Sequence, residues 1–276
     1  MQLQKLWQRS QLWLLVLWIV AALAAKLSLA VIGIGSLIWL IVFYLTARGL
    51  FWYWTYALNF NPFKTDAALR KAVACRPLLP QPYLTAAVFS AKKKQWSETI
   101  PLLERAAELS GKGTLSQIQS ILAVAYRETG DLDKATAMLA ALETAGVKSA
   151  HLYTNYAAVY LQRADYPAVF TAAAKARSFN VNATEPVLIT AKAHFLQGDY
   201  QAAKDDYEWV LPRLSWPVET FYWLGRAELE LRLPVAAREH LQKAVARIGE
   251  DPDLSDVPLT EAQFWLDKAN SAISEQ

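Results

Sequence analysis

The sequence predicts an all-α fold class: two N-terminal transmembrane helices, then a solenoid of paired helices closed by a C-terminal capping helix. Three observations carry this. Apolar residues make up 54% of the 276-residue chain, above the roughly 45–50% of soluble domains, and the excess sits at the N-terminus. Glycine is scarce, with 10 residues, while alanine, leucine and tryptophan are abundant, which favours helix over sheet. A helix–turn–helix pattern also recurs every 34 residues, and a fixed period of this size decides an architecture.

The same bulk numbers exclude several classes. A net charge of +3 offers no argument for a nucleic-acid partner. Cys75 is the single cysteine, so neither an intramolecular disulfide nor a cysteine-based metal site is expected.

From Ser10 to Ala47 the only charge is Lys26. It separates an apolar run over Gln11 to Ala25 from a second over Leu29 to Ala47. A spanning helix needs about 20 apolar residues. The second run meets this, and the first meets it if Arg9 and Lys26 snorkel to the two interfaces. The expectation is a tight transmembrane hairpin over residues 1–48, inserted through residues 10–47. Three other readings stand beside it. Lys5, Arg9 and Ala22-Leu23-Ala24 also fit a cleaved signal peptide; the runs could be buried soluble helices; or one span could be followed by a re-entrant segment. Lys5 and Arg9 before the hairpin, and Arg48, Lys64, Arg70 and Lys71 after it, place both ends on the cytoplasmic side. The expected location is the inner membrane of a bacterial-type cell, with the solenoid in the cytoplasm.

Residues 49–61 form an aromatic interfacial linker. Trp52, Tyr53, Trp54 and Tyr56 suit a headgroup region, or they pack on the first soluble helix. Asn61-Pro62 marks a break and a helix start. Residues 62–79 read as a half-repeat, a second helix without its first, with Ala72 at the small-residue position and Pro77 as its stop.

The solenoid covers residues 80–250. With repeats starting at Ser116, Ala150, Thr184 and Val218, position 8 holds Ala123, Ala157, Ala191 and Gly225. Position 20 holds Ala135, Val169, Ala203 and Ala237, and position 27 holds Leu142, Ala176, Val210 and Ala244. Paired helices approach closely only where side chains are small, so positions 8 and 20 mark the contact within a repeat. Leu132, Tyr166, Tyr200 and Pro234 at position 17 plug the joint between repeats. An earlier copy starts at Pro80, with Ala87, Trp96, Thr99 and Ala106 in register and two extra residues in its loop, Ser110 to Thr114. Gly130-Asp131 and Gly198-Asp199 end one helix and cap the next; they are punctuation rather than sites. Residues 251–276 supply the capping helix, Leu259 to Ile273, with Thr260 as its cap, because a solenoid end must be covered.

The residues at these positions resemble the tetratricopeptide repeat family. The resemblance rests on Leu224-Gly225, Tyr126, Tyr160, the turns at Gly130 and Gly198, and the small residues at positions 8 and 20. It covers about Pro80 to Ile248 and holds its register through four consecutive repeats. Gln119 and Pro234 depart from it, where an aromatic is usual. The resemblance implies a right-handed α-solenoid whose first helices present an inner groove to a peptide or protein. Positions 2, 5, 6, 9, 12 and 13 face that groove. The candidates there are Asn155, Lys192, Phe195, Tyr222, Trp223 and Arg226, with Glu219 and Leu229. Some members hold a terminal carboxylate in a clamp of cationic and amide side chains, which Asn155, Lys192 and Arg226 do not reproduce. The mixture of aromatic and basic groups suits a peptide with apolar anchors and an acidic group, or Tyr222 and Trp223 pack between repeats.

No catalytic constellation is legible. His151, His194 and His240 fall at positions 2, 11 and 23 and share no face. Asp205, Asp206 and Glu208 lack the spacing of a metal loop, and Gly111 to Thr114 lacks that of a phosphate loop. Cys75 reads as a small hydrophobe. Lys92, Lys93 and Lys94 suit a helix C-terminus and also anionic lipid. The expectation is therefore no enzyme, no cofactor, no metal and no small-molecule substrate. The predicted function is a membrane-anchored scaffold or adaptor for a protein or peptide partner. The alternative is a structural or assembly subunit acting through its hairpin.

Overall fold

The computed structural model describes residues 14, 16–23, 25–26, 28–57, 65–252 and 255–275. Lys5, Arg9, the Asn61-Pro62 break and Lys64 lie outside the described residues. All regular structure among the described residues is helical. The chain divides into two compact units, Met1–Ala141 and Leu142–Gln276.

In the first unit, helix covers residues 16–23 of the first apolar run, and α1 covers Leu29–Thr46 of the second. Ser28 caps α1 through the Val31 amide, at 3.4 Å. The two apolar runs meet where Trp18 lies over Gly35; a Cβ at Gly35 would fall on the indole ring. α2, Arg48–Ala57, follows at once, but Ala47 leaves the helical region (φ −139°, ψ 44°). The two helices turn by 113° there. Among the described residues no single helix is long and apolar enough to cross a membrane, and α1 with α2 meets length and composition only as this bent pair. Where the sequence predicts a hairpin of two spanning helices, the described residues show only this bent pair. A non-helical residue interrupts the apolar stretch, and aromatic packing holds the bend. Phe43 stacks on Trp39 at 5.1 Å and meets Trp54 at 4.7 Å, and with Ala47, Leu50 and Leu79 it makes a buried cluster. α1 still leaves its flanks bare: Ile34, Leu37, Ile38, Ile41 and Leu45 are all more than half exposed.

The aromatic segment pairs with the half-repeat helix α3, Thr65–Ala74. Gly49 permits the approach: a Cβ there would stand 2.9 Å from the Ala72 carbonyl oxygen. Lys71 lies 4.5 Å over Trp52, and the Tyr53 hydroxyl is 3.4 Å from that of Thr85. These rings pack on the helices that follow. α4, Pro80–Lys92, and α5, Trp96–Leu109, form the first full pair. At its small-residue contact Ala87 and Thr99 are wholly buried, and the Ser90 and Thr99 hydroxyls bond at 2.7 Å. α6 spans Lys112–Glu128 and α7 Leu132–Thr144. The two residues read as extra loop are absorbed into α6, which starts at Lys112 behind an extended Gly111.

The second unit holds α8 (Ala150–Gln162), α9 (Tyr166–Phe179), α10 (Thr184–Leu196) and α11 (Tyr200–Val210). It continues through a short 3-10 turn to α12 (Val218–Glu230), α13 (Pro234–Glu250) and the terminal α14 (Leu259–Ser274). Each first helix packs on its own second helix and on the next pair; α14 packs on α13. Ala157, Ala191, Ala203 and Ala237 are fully buried at the close contacts. The inter-helix turns of the four repeats each use a left-handed residue at position 15, which is Gly130 (φ 81°), Ala164 (φ 55°), Gly198 (φ 82°) and Arg232 (φ 57°). The amide after it reaches back to close the first helix, as Asp199 N donates to the His194 carbonyl at 3.0 Å. Asp165 and Asp199 then cap α9 and α11. Thr260 does not cap α14; Pro258 occupies that place and offers no side-chain bond.

Candidate functional site

The first helices of the second unit, α8, α10 and α12, lie side by side. Side chains one turn apart on neighbouring first helices therefore converge, and they enclose a cavity of about 180 Å³. Leu161 from α8, Leu188, Ile189 and Lys192 from α10, and Glu219 and Trp223 from α12 wall it. All six sit at the groove-facing positions of the repeat. Thr220 and Tyr207 complete the lining.

Of the six residues singled out from the sequence, Lys192 and Trp223 meet here. The Lys192 ammonium lies 5.1 Å from the centre of the Trp223 ring. Phe195 stands behind that wall, only 9% exposed, edge-on to Trp223 at 5.2 Å and to Tyr200 at 5.3 Å.

Tyr222 and Arg226 do other work. Tyr222 is 1% exposed, and its hydroxyl donates to Glu261 of α14. Burial first, and then that carboxylate, push its phenol up to about 12. The Arg226 guanidinium is surrounded by four rings: Trp265 at 4.3 Å, Trp223 at 4.8 Å, Phe195 at 5.0 Å and Tyr222 at 5.6 Å. Planar, weakly hydrated guanidinium suits such a cage. It joins the last repeat to the terminal helix. Asn155 is buried in α8, bonded to His151 one turn away at 3.2 Å, and does not line the cavity. Leu229 packs into the core beneath α14.

Sequence reasoning missed Tyr207. It lies on a second helix, outside the groove-facing positions, and nothing local marks it. Its ring belongs to the core around Ala203 and Leu224. It is 2% exposed, and its hydroxyl is buried with no hydrogen-bond partner among the described residues. Burial raises its phenol far above the usual tyrosine value, so it stays protonated. Leu161, Leu188 and Ile189 had a signal, since their repeat positions face the groove; their apolar character alone did not single them out.

A larger cavity of about 400 Å³ lies along α8 and α9, lined by Tyr153, Tyr156, Tyr160 and Lys175. Two of its polar side chains, Tyr153 and Lys175, share the Glu143 carboxylate. Tyr153 donates to Glu143 at 2.8 Å, and Lys175 pairs with the same carboxylate at 3.2 Å. Several other polar residues noted in the sequence have structural partners. His194 stacks on Phe170 and meets Asp206 at 3.2 Å, His240 meets the buried Glu228 at 2.8 Å, and Lys204 pairs with Glu208 at 2.7 Å.

No protein-family model matches the sequence, and no curated protein is similar to it. Among solved structures, the chain is similar to a thermophilic TPR protein from Thermus thermophilus (TM-score 0.57, 16% identity), covering 70% of this chain and 98% of that one. It is similar to a tetratricopeptide repeat protein of Parabacteroides merdae (0.55, 13%), covering 77% and 84%. It is also similar to the Cut9–Hcn1 hetero-tetramer of APC/C (0.62, 14%), covering 85% of this chain but only 42% of that one. These likenesses establish a fold of the tetratricopeptide repeat type.

Proposed function

We propose that this protein is a membrane-anchored adaptor that binds an extended segment of a protein partner in the cavity between α8, α10 and α12. The observation that carries the reading is the convergence of Lys192, Trp223, Leu188 and Leu161 on one side of the first helices. An apolar concavity with a few polar groups is the usual form of a recognition site. Of the solved neighbours, Cut9–Hcn1 is itself an assembly of two different proteins, and the fold suits such a role without assigning it.

The anchor is proposed on separate grounds. Leu40, Ile41 and Val42 are consecutive and each more than 40% exposed, so bare apolar surface covers about 200° of the helix circumference. Monomeric proteins in water rarely leave so broad a patch uncovered. Lipid around the bent α1–α2 pair would cover it, and the flanking cations favour the inner membrane with the repeats in the cytoplasm. The same breadth favours a second reading, in which a neighbouring membrane protein covers α1 and the chain is an assembly subunit.

Capture of partners by the full chain from solubilised membranes tests the groove. Lys192→Ala with Trp223→Ala should lose the partner, whereas Lys175→Ala at the other cavity should keep it. Loss in neither variant moves the interface elsewhere. Replacing residues 1–47 with an unrelated anchor separates the two readings: an adaptor retains its partner, and an assembly subunit loses it. Accessibility of residues 65–276 to protease in inside-out vesicles checks the orientation, and protection there overturns the cytoplasmic assignment.

A further inference from the structure

The net charge of +3 conceals a segregation along the chain. Eleven cationic residues and one acid lie between Met1 and Lys94, so the 182 residues that follow carry a net charge of −7. Eight of the eleven cations fall between Arg48 and Lys94, where Asp66 is the single acid. Arg48, Arg70, Lys71, Arg76 and Lys92 to Lys94 are all exposed. Among the described residues no carboxylate pairs with Arg48, Lys71, Arg76, Lys92 or Lys93. Beyond this stretch the pattern reverses: Lys134, Lys175, Lys204 and Lys243 each hold a carboxylate at 2.7–3.2 Å.

Packing within the first unit gathers these cations. α2 pairs with α3, and α3 lies against α4. Arg70 of α3 and Lys93 at the end of α4 line one cavity of about 230 Å³, with Leu69, Val73 and Phe89 as apolar walls and Glu98 beside them. A helix C-terminus favours a cation in itself, but that does not account for three. The same turn positions in each of the next four repeats hold one cation at most. Lys94 is also left-handed, with φ 55°, where Gly130 and Gly198 serve equivalent turns without a side chain to clash. Like charges crowded on such a turn repel one another unless an anionic partner offsets them.

The position of the cations indicates that partner. Arg48 comes two residues after α1 ends at Thr46, and α1 leaves Leu37, Ile38 and Ile41 exposed. Cations clustered directly beyond an apolar segment are drawn to anionic headgroups, each adding about fivefold in affinity. Nucleic acid attracts cations too, but gains nothing from their abutting an apolar helix. Resting on the anchor reading above, we propose that the cationic face of α2, α3 and the α4 turn docks on the headgroups of an anionic phospholipid bilayer. Lys92, Lys93 and Lys94 then meet lipid phosphates, and the surplus of acid beyond Lys94 is repelled by the same surface.

The test assembles the full chain into nanodiscs of phosphatidylcholine alone or of an equal mixture with phosphatidylglycerol. Acetylation by a water-soluble reagent, read by mass spectrometry, should slow at Lys92, Lys93 and Lys94 by at least about fivefold on the anionic discs. Lys134 and Lys243 should react alike on both. In about 1 M salt, where the screening length falls to about 3 Å, the protection should disappear. Equal rates on both discs, with the chain retained, overturn the lipid docking and leave the anchor standing. Protection that persists in high salt overturns the docking as well. Protection by single-stranded DNA on neutral discs, with none on anionic discs, assigns the cations to nucleic acid instead. A chain retained only by anionic discs overturns the anchor and keeps the docking if Lys92→Gln with Lys93→Gln and Lys94→Gln releases it; if that variant stays bound, the docking falls too. Retention by neither disc overturns both.

Discussion

The guanidinium of Arg226 lies 4.3 Å over the ring of Trp265, so a residue expected to face a partner instead fastens the terminal helix to the last repeat. Arg226→Lys keeps the charge but loses the planar group that three further rings also contact. We expect it to cost about 1–2 kcal/mol, the range for a partly desolvated cation on aromatic faces. Urea denaturation measures the loss. Amide exchange should rise across residues 259–274 and stay unchanged in residues 166–179. Uniform exchange in both helices would contradict the fastening role.

The turns make a matched pair of predictions. Ala164 and Gly198 occupy the same repeat position with φ of 55° and 82°. A side chain in the left-handed region costs about 1–2 kcal/mol, partly offset by the greater chain entropy of glycine. Ala164→Gly should therefore stabilise the protein by about 0.5–1 kcal/mol, and Gly198→Ala should destabilise it by a similar amount. Opposite shifts in melting temperature would confirm this; shifts of the same sign would refute it.

Two glycines within helices should also respond in opposite ways. A Cβ at Gly225 would stand 2.7 Å from Leu241 Cγ and 3.1 Å from the Ala237 carbonyl oxygen. Gly225→Ala should cost about 1–3 kcal/mol by overpacking. Nothing lies within 4 Å of a Cβ at Gly249 in α13, so Gly249→Ala should gain up to about 1 kcal/mol through helix propensity. Denaturant midpoints report both.

Alkaline pH should weaken the fold. Burial first, and then the Glu104 carboxylate, push Tyr126 up to about 12; burial and Glu143 do the same for Tyr156. A tyrosine in the unfolded chain titrates near about 10. Between these values the folded state holds protons that the unfolded state has lost, so stability is full below about pH 10 and falls as pH rises towards 12. Tyr156→Phe should flatten that decline. Stability independent of pH across this window would exclude the effect.

Much of the fold was legible because its determinants repeat. Ala157, Ala191 and Ala203 could be assigned to close helix contacts from spacing alone, and all three are wholly buried. Asp131 and Asp199 announced the caps they make. The apolar N-terminus was less legible. Hydropathy sees composition but not the break at Ala47, which the packing of Phe43 against Trp39 and Trp54 sustains. Thr260 has the chemistry of a cap, yet the chain is already helical at Leu259, ahead of it.

For the candidate site, the sequence by itself determined which residues share one face of the first helices, through helical period and repeat register; that this face lines an inner groove is what the tetratricopeptide resemblance implies. It put Lys192 and Trp223, which line the cavity, on that face and could not separate them from Tyr222 and Arg226, which sit on the same face. Tertiary structure decided the difference. Tyr222 bonds to Glu261, a residue 39 positions away, and the terminal helix covers Arg226. Only packing placed Tyr207, from a second helix, beneath the groove with its hydroxyl unmade. Local periodicity dictates which way a side chain points; what it meets there depends on a helix remote in sequence, and that meeting turned two groove candidates into a clasp and a core tyrosine into the floor of the site.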